Sequence, residues 1–264
     1  MEKNNCIIYD AYVNGYRPIN KTITFQQKLK DMVKDIRDTY GLPLIIMFQE
    51  ILAGRNMKYL DLIRCLYPEY ELILPVGFDY ETHYRSIIAV TLVRRDVLGS
   101  YRVIELDSEL PNRVCYIAAE LKGLGDFRIL NIHLVQTQNL EFQAKWYVLD
   151  RKRLKEHQWN LLHNELNYIR ELNVIFAGDM QESKNSPNLN KLIKDGYIVS
   201  GASGTRTVRN SFFDQEYYID HIIFSSRAIA ALGDGTEIIY DNSGVGKYSD
   251  HTLLCISHEV TPSF

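Results

Sequence analysis

Cysteine is scarce in this chain: four in 264 residues, with no Cys-x-x-Cys pair. Cys6, Cys65, Cys115 and Cys255 lie far apart, so the usual zinc-ligand spacings are missing and no disulfide framework is implied. Cys6, Cys115 and Cys255 fall inside apolar runs, where a thiol acts as a small buried hydrophobe. No apolar run reaches the roughly 20 residues of a membrane span, and no amphipathic membrane anchor is evident. The opening Met-Glu-Lys-Asn-Asn has no apolar leader segment, so a reduced, cytoplasmic compartment is expected. An excess of one charge is absent too, since 30 basic against 33 acidic residues give a net −3. Overall charge therefore does not attract nucleic acid, and such a partner needs a local basic patch. Repeats, low-complexity stretches and linkers are also lacking.

What remains is an ordinary soluble composition, 46% hydrophobic and 24% charged. The length suits one large sandwich or barrel, and residues 1–264 are expected to form a single domain. Strands are predicted at Cys6 to Val13, Leu44 to Phe48, Ser86 to Val93, Tyr101 to Ile104, Arg113 to Ala119 and Phe127 to Ile132. Further short apolar runs at Asn173 to Ala177, Ile219 to Phe224 and Leu253 to Ile256 read the same way. Helical spacing joins Leu29, Met32, Val33 and Ile36, and again Met57 to Leu66. A long helix is predicted from Leu140 to Leu172, with a break near Asp150. Ser183 to Asn190 and Ser200 to Asn210 read as loops. Strands in groups with helices between them indicate a layered α/β or α+β fold.

Acidic residues recur at the ends of apolar runs: Glu50, Asp179, Asp220 and Asp250. Carboxylates at strand ends project into the crevice where sites on layered folds form, and several together need a cation. Oxygen donors with little sulfur point to Mg²⁺, Mn²⁺ or Ca²⁺. Two histidines join them, His133 at the end of one strand and His251 beside Asp250. An imidazole held by a carboxylate is fixed in one tautomer and made a better base. Metal plus oriented base is equipment for driving water into a phosphate ester.

The ordered series Phe-Gln-Glu50, Asn-Ile-His133-Leu, Gly-Asp179-Met-Gln181, Ile-Asp220-His-Ile-Ile and Ser-Asp250-His251 resembles the endonuclease/exonuclease/phosphatase superfamily. The resemblance spans nearly the whole chain. It implies a four-layer α/β sandwich of two packed, mostly antiparallel sheets, the DNase I-like fold. It also implies a hydrolase that depends on Mg²⁺ or Mn²⁺ and acts as a phosphodiesterase or nuclease on nucleic acid. By motif, Glu50 and Asp250 bind the metal, Asp179 orients the attacking water, and His251 is the general base supported by Asp220. His133 donates to the phosphate or leaving oxygen, and Gln181 holds phosphate oxygens. Asn14 and Arg206 are further substrate-binding candidates. The sequence departs from the pattern at Tyr12, where the family usually has Asn, and at Gln181, one methylene longer than the usual Asn. Those departures keep open a binding protein with lost turnover, while an inositol phosphate or phospholipid head group remains an alternative substrate.

Two other features have competing readings. The helix carrying Arg151, Lys152, Arg153 and Lys155 alternates basic with acidic residues, which suits a solvated face. Phe78, Tyr80 and Tyr84, before the strand at Ser86, are candidates to stack on a base, with packing as the alternative. His221 reads as a packing or surface residue.

Overall fold

The computed structural model describes residues 6–12, 25–137, 143–183, 185–200, 208–210, 215–217, 219–233, 237–241 and 253–257. Along the chain come β1 (Cys6–Tyr12), α1 (Phe25–Tyr40), β2 (Ile45–Leu52), α2 (Lys58–Leu66), β3 (Tyr70–Ile73), β4 (Ile87–Arg94) and β5 (Leu98–Val103). Next are β6 (Val114–Leu121), β7 (Gly125–His133), α3 (Lys145–Ile169), β8 (Asn173–Asp179), α4 (Pro187–Lys194) and β9 (Ile198–Val199). The rest are β10 (Val208–Asn210), β11 (Gln215–Tyr217), β12 (Asp220–Phe224), α5 (Ser226–Leu232), β13 (Glu237–Asp241) and β14 (Leu253–Ser257).

Two six-stranded sheets result. The first runs β13-β14-β1-β2-β4-β3 and the second β5-β6-β7-β8-β12-β9, with β10 and β11 paired separately. Only β1–β2 and β7–β8 pair in parallel among the described ladders, so both sheets are mostly antiparallel. Alternation along the strands decides what each face buries. In β2, Ile45 and Met47 face the second sheet while Ile46 and Phe48 face the helices. In β8, Ile175 and Ala177 face inward while Val174 and Phe176 face α3. This is the four-layer α/β sandwich of two packed sheets that the sequence resemblance implied.

Helix α1 buries Leu29, Met32, Val33 and Ile36, one stripe at the spacing of a helix face, against the first sheet. It ends where Gly41 takes φ 69° and its N–H closes onto Arg37 O at 3.0 Å. Helix α3 covers the second sheet with Trp159, Leu162, Leu166 and Ile169. No described helix is long and apolar enough to cross a membrane.

Several sequence expectations are corrected. The segment Ser183 to Asn190 is not all loop, because α4 starts inside it at Pro187. Ser186 caps that helix by accepting from Leu189 N, and Pro187 occupies the first turn, where its missing N–H costs nothing. Ser200 to Asn210 likewise contains β10, which pairs with β11. The long helix has no break near Asp150, for α3 runs continuously from Lys145 to Ile169. Strand β2 continues past Phe48 to Leu52, so Glu50 lies within a strand.

Candidate active site

Three of the expected site residues stand in one row of the second sheet. β7 and β8 pair in parallel with His133 opposite Asp179, and β12 pairs antiparallel to β8 with Asp220 opposite Asp179. Directly paired residues project to the same face, with Cβ atoms about 5 Å apart. Counting by twos from Ile129, Ala177 and Ile222 puts all three side chains on the inner face, beyond the inter-sheet core. All three are buried. Gly178 makes this row possible. At φ 143°, a Cβ there would lie 1.9 Å from Ile132 O, so no larger residue fits between β7 and β8.

Glu50 comes from the first sheet, and strict alternation would place it on the helix side with Phe48. A β-bulge prevents that. The β2–β4 register jumps between Phe48, opposite Val90, and Ile51, opposite Ile88, so Gln49 and Glu50 together face one residue. Glu50 takes the left-handed φ of 56°. Its Oε1 then lies 3.8 Å from His133 Nε2, while Asp179 Oδ2 lies 3.6 Å from the same nitrogen. Both separations exceed hydrogen-bond length.

Asn131 ties the sheets together just below. From β7 its Nδ2 donates to Val90 O (2.8 Å) and Phe48 O (3.2 Å) of the first sheet, and Gln49 Nε2 donates to its Oδ1 at 2.6 Å. Gln49 and Asn131 are fully buried, so these bonds satisfy groups that water cannot reach. The Asn131-Ile132-His133 run thus couples a structural amide to a site imidazole two residues on.

Behind the row, Asp179 is held by its own loop. Gln181 N donates to Oδ1 at 3.0 Å and Gln181 Nε2 to Oδ2 at 2.6 Å, with Gln181 itself at φ 54°. The Gln181 side chain, expected at the phosphate, thus has one amide hydrogen on Asp179 and a second to offer elsewhere. Lys155, read from sequence as part of a solvated face, is instead buried under this loop. Its Nζ donates to Gln181 O at 2.7 Å and lies 3.3 Å from Glu182 Oε1. Burial pushes its pKa below the ordinary lysine value, while Glu182 and Asp179 favour the charged form. One turn on, Gln158 Oε1 accepts from Val135 N and fixes the chain leaving His133. Neighbouring Arg153 does face solvent, paired with Glu109 and Asp150. Sequence missed Lys155 because alternating charge hides a single inward position. Its spacing of three from Gln158 and seven from the core residue Leu162 is the signal that finds it.

The network extends outward. Glu182 accepts from Asn188 Nδ2 at 3.0 Å, and Asn188 Oδ1 lies 3.2 Å from His163 Nε2. Burial lowers the His163 pKa from its ordinary 6.5. His221 is buried on the opposite face from Asp220, its two ring nitrogens against Ser200 O (3.2 Å) and Glu182 O (2.8 Å). It is a packing residue, as expected. Asn14, Arg206, Asp250 and His251 lie outside the described residues.

No family model and no curated protein sequence matches this chain. Solved structures do match. The 3′–5′ exonuclease NExo from Neisseria meningitidis superposes with a TM-score of 0.68 at 15% identity, covering 96% of this chain and 99% of that one. TDP2 of D. rerio complexed with single-strand DNA product gives 0.63 at 15%, covering 96% and 98%. An endonuclease/exonuclease/phosphatase from Bacteroides vulgatus gives 0.64 at 17%, covering 97% and 99%. At such identities the likeness speaks for the fold.

Proposed function

We propose that this chain, which has the DNase I-like fold of the endonuclease/exonuclease/phosphatase superfamily, is a divalent-metal-dependent phosphoesterase that cleaves nucleic-acid phosphodiesters. The observation that carries the reading is the row His133–Asp179–Asp220, buried on one sheet face, with Glu50 brought over it from the other sheet. Similarity to structures named as an exonuclease and as a complex with single-strand DNA product supports the substrate class.

The residues fit an oxygen-preferring divalent ion. Asp179 and Asp220 place two carboxylates side by side away from bulk water, and Glu50 adds a third that a cation would offset. Among the described residues, no group of three His, Cys, Asp or Glu side chains by itself holds a metal ion. By the motif resemblance, the proposed ligand pair is Glu50 with Asp250. A divalent ion held there would supply polarisation of a phosphate oxygen and offset of negative charge.

The chain's own groups do the rest. Asp179, its two oxygens fixed by the Gln181 amides, accepts from the attacking water and aims its lone pair. His133 Nε2 donates to a phosphate or leaving oxygen. The second Gln181 amide hydrogen and Asn14 hold the non-bridging oxygens, and Arg206 adds a phosphate contact. His251 takes the proton of the water, with Asp220 orienting its ring. It lies two residues before Leu253, and β14 enters beside β1 at the end that β1 shares with Gln49.

A panel of phosphoesters assayed with Mg²⁺ or Mn²⁺, with and without chelator, tests this reading. Plasmid and single-stranded DNA should be cut only with metal, and Asp179→Ala should lower kcat by about 10²–10⁴. Phosphate release from inositol polyphosphates without DNA cleavage would move the substrate class. Cleavage of no phosphoester at all would remove the enzyme reading.

A further inference from the structure

The turn that leaves β8 is anchored on three other elements. Asp179 O accepts from Leu134 N at 2.8 Å, just past β7, and Met180 N donates to Ile219 O at 2.9 Å, just before β12. Both bonds join main chain to main chain, so they do not depend on which side chains are present. The next two carbonyls do. Gln181 O accepts from Lys155 Nζ of α3 at 2.7 Å, and Glu182 O lies 2.8 Å from His221 Nε2 of β12. Lys155 Nζ also lies 3.3 Å from Glu182 Oε1, and Asn188 Nδ2 donates to both oxygens of that carboxylate at 3.0 and 3.2 Å.

Gln181 is where these anchors meet Asp179. Its N–H donates to Oδ1 and its Nε2 to Oδ2, and its φ of 54° is left-handed. That conformation is unfavourable for a residue with a Cβ and persists only where the surroundings hold it. The N–H belongs to the peptide plane before the Gln181 Cα and the C=O to the plane after it. With the N–H tied to Asp179 and the C=O tied to Lys155, both planes are fixed, and so are the two torsions between them.

A buried ammonium is a costly way to fill space. Lys155 is 8% exposed, and a buried ion pair adds little net stability over apolar residues of similar volume. An apolar side chain could fill the position, but it would leave Gln181 O without this donor. We infer that Lys155 is a positioning residue for the proposed hydrolysis: it holds the Gln181 backbone, and Gln181 in turn aims both oxygens of Asp179 at the attacking water. Its role rests on the one proposed for Asp179 and adds a group on α3 that acts only through Gln181.

Lys155→Met keeps the apolar stem and removes the donor. Because it leaves Glu182 buried without its cation, Lys155→Met/Glu182→Gln is made beside it, which removes that charge and keeps an acceptor for Asn188. Either suffices where near-ultraviolet circular dichroism shows a folded chain. By NMR in chelator, exchange of the Gln181 amide hydrogen should quicken about tenfold relative to the amides of β7 and β8, which report global opening. In hydrolysis of bis(p-nitrophenyl) phosphate with Mg²⁺, kcat should fall about 10- to 100-fold with little change in KM. In an Asp179→Ala background the same replacement should change kcat by no more than about twofold, whereas a reduced folded fraction would lower it equally in both backgrounds. An undiminished factor in that background, or Gln181 exchange no faster than that of β7 and β8, overturns the positioning role. If wild type hydrolyses nothing, the hydrolase reading falls, and the exchange rate alone decides whether Lys155 anchors the turn.

Discussion

His133, Asp179 and Asp220 reach the candidate site on the second sheet through unbroken register, each directly opposite its neighbour. Glu50 reaches the same place on the first sheet only because one extra residue in β2 turns it inward at φ 56°. The regular sheet supplies a rigid row, held from behind by Lys155 and Gln158 of α3. The irregular sheet supplies one re-aimed carboxylate, and its strain is held by Asn131 and Gln49 between the sheets. Regular pairing is robust to small changes along a strand, whereas a bulge depends on the groups that pin it.

Breaking the regular side should cost most. Gly178→Ala drives a Cβ into Ile132 O and should destabilise by about 4 kcal/mol or more, read as loss of soluble protein or a collapsed urea midpoint. A variant of near wild-type stability would show that β7 and β8 part easily. Breaking the pin of the bulge comes next. Asn131→Leu strips the buried Phe48 and Val90 carbonyls of their donor, and about 3 kcal/mol should be lost in urea titration.

Glu50 itself offers a finer comparison. Glu50→Gly and Glu50→Ala both remove the carboxylate, but glycine accepts the left-handed backbone and alanine does not. The glycine variant should be the more stable by about 1 kcal/mol. Equal stabilities would mean that the bulge relaxes once the carboxylate is gone. The smallest effect concerns the support behind the regular row. With its folded pKa below the ordinary 6.5, His163 makes the unfolded chain take up a proton first as pH falls. Stability is then lost as pH drops through 6.5 toward the folded value. His163→Phe should flatten that part of the pH–stability curve, and an unchanged slope between pH 7 and 5 would assign the loss elsewhere.

Much of the second sheet was legible beforehand. Apolar runs ending in His133 and Asp179 located β7 and β8, while the register that sets the two side chains beside each other came only with the sheet. The bulge was not legible, because Phe-Gln-Glu-Ile-Leu carries no glycine or other mark of an inserted residue. Lys155 escaped notice because charge alternation resembles a solvated face from every side. The short helix α4 was written in Ser186-Pro187, but a polar neighbourhood hid it.

By itself the sequence determined the order of the candidate residues along the chain and the layered class, since these follow from residue chemistry and local period. Tertiary structure alone decided that Glu50 turns toward His133, that Lys155 turns inward, and that Phe78 and Tyr80 pack on the core while Tyr84 lies beside Arg55 and Arg85. Each depends on which group packs opposite, a contact between residues tens of positions apart that no local pattern records.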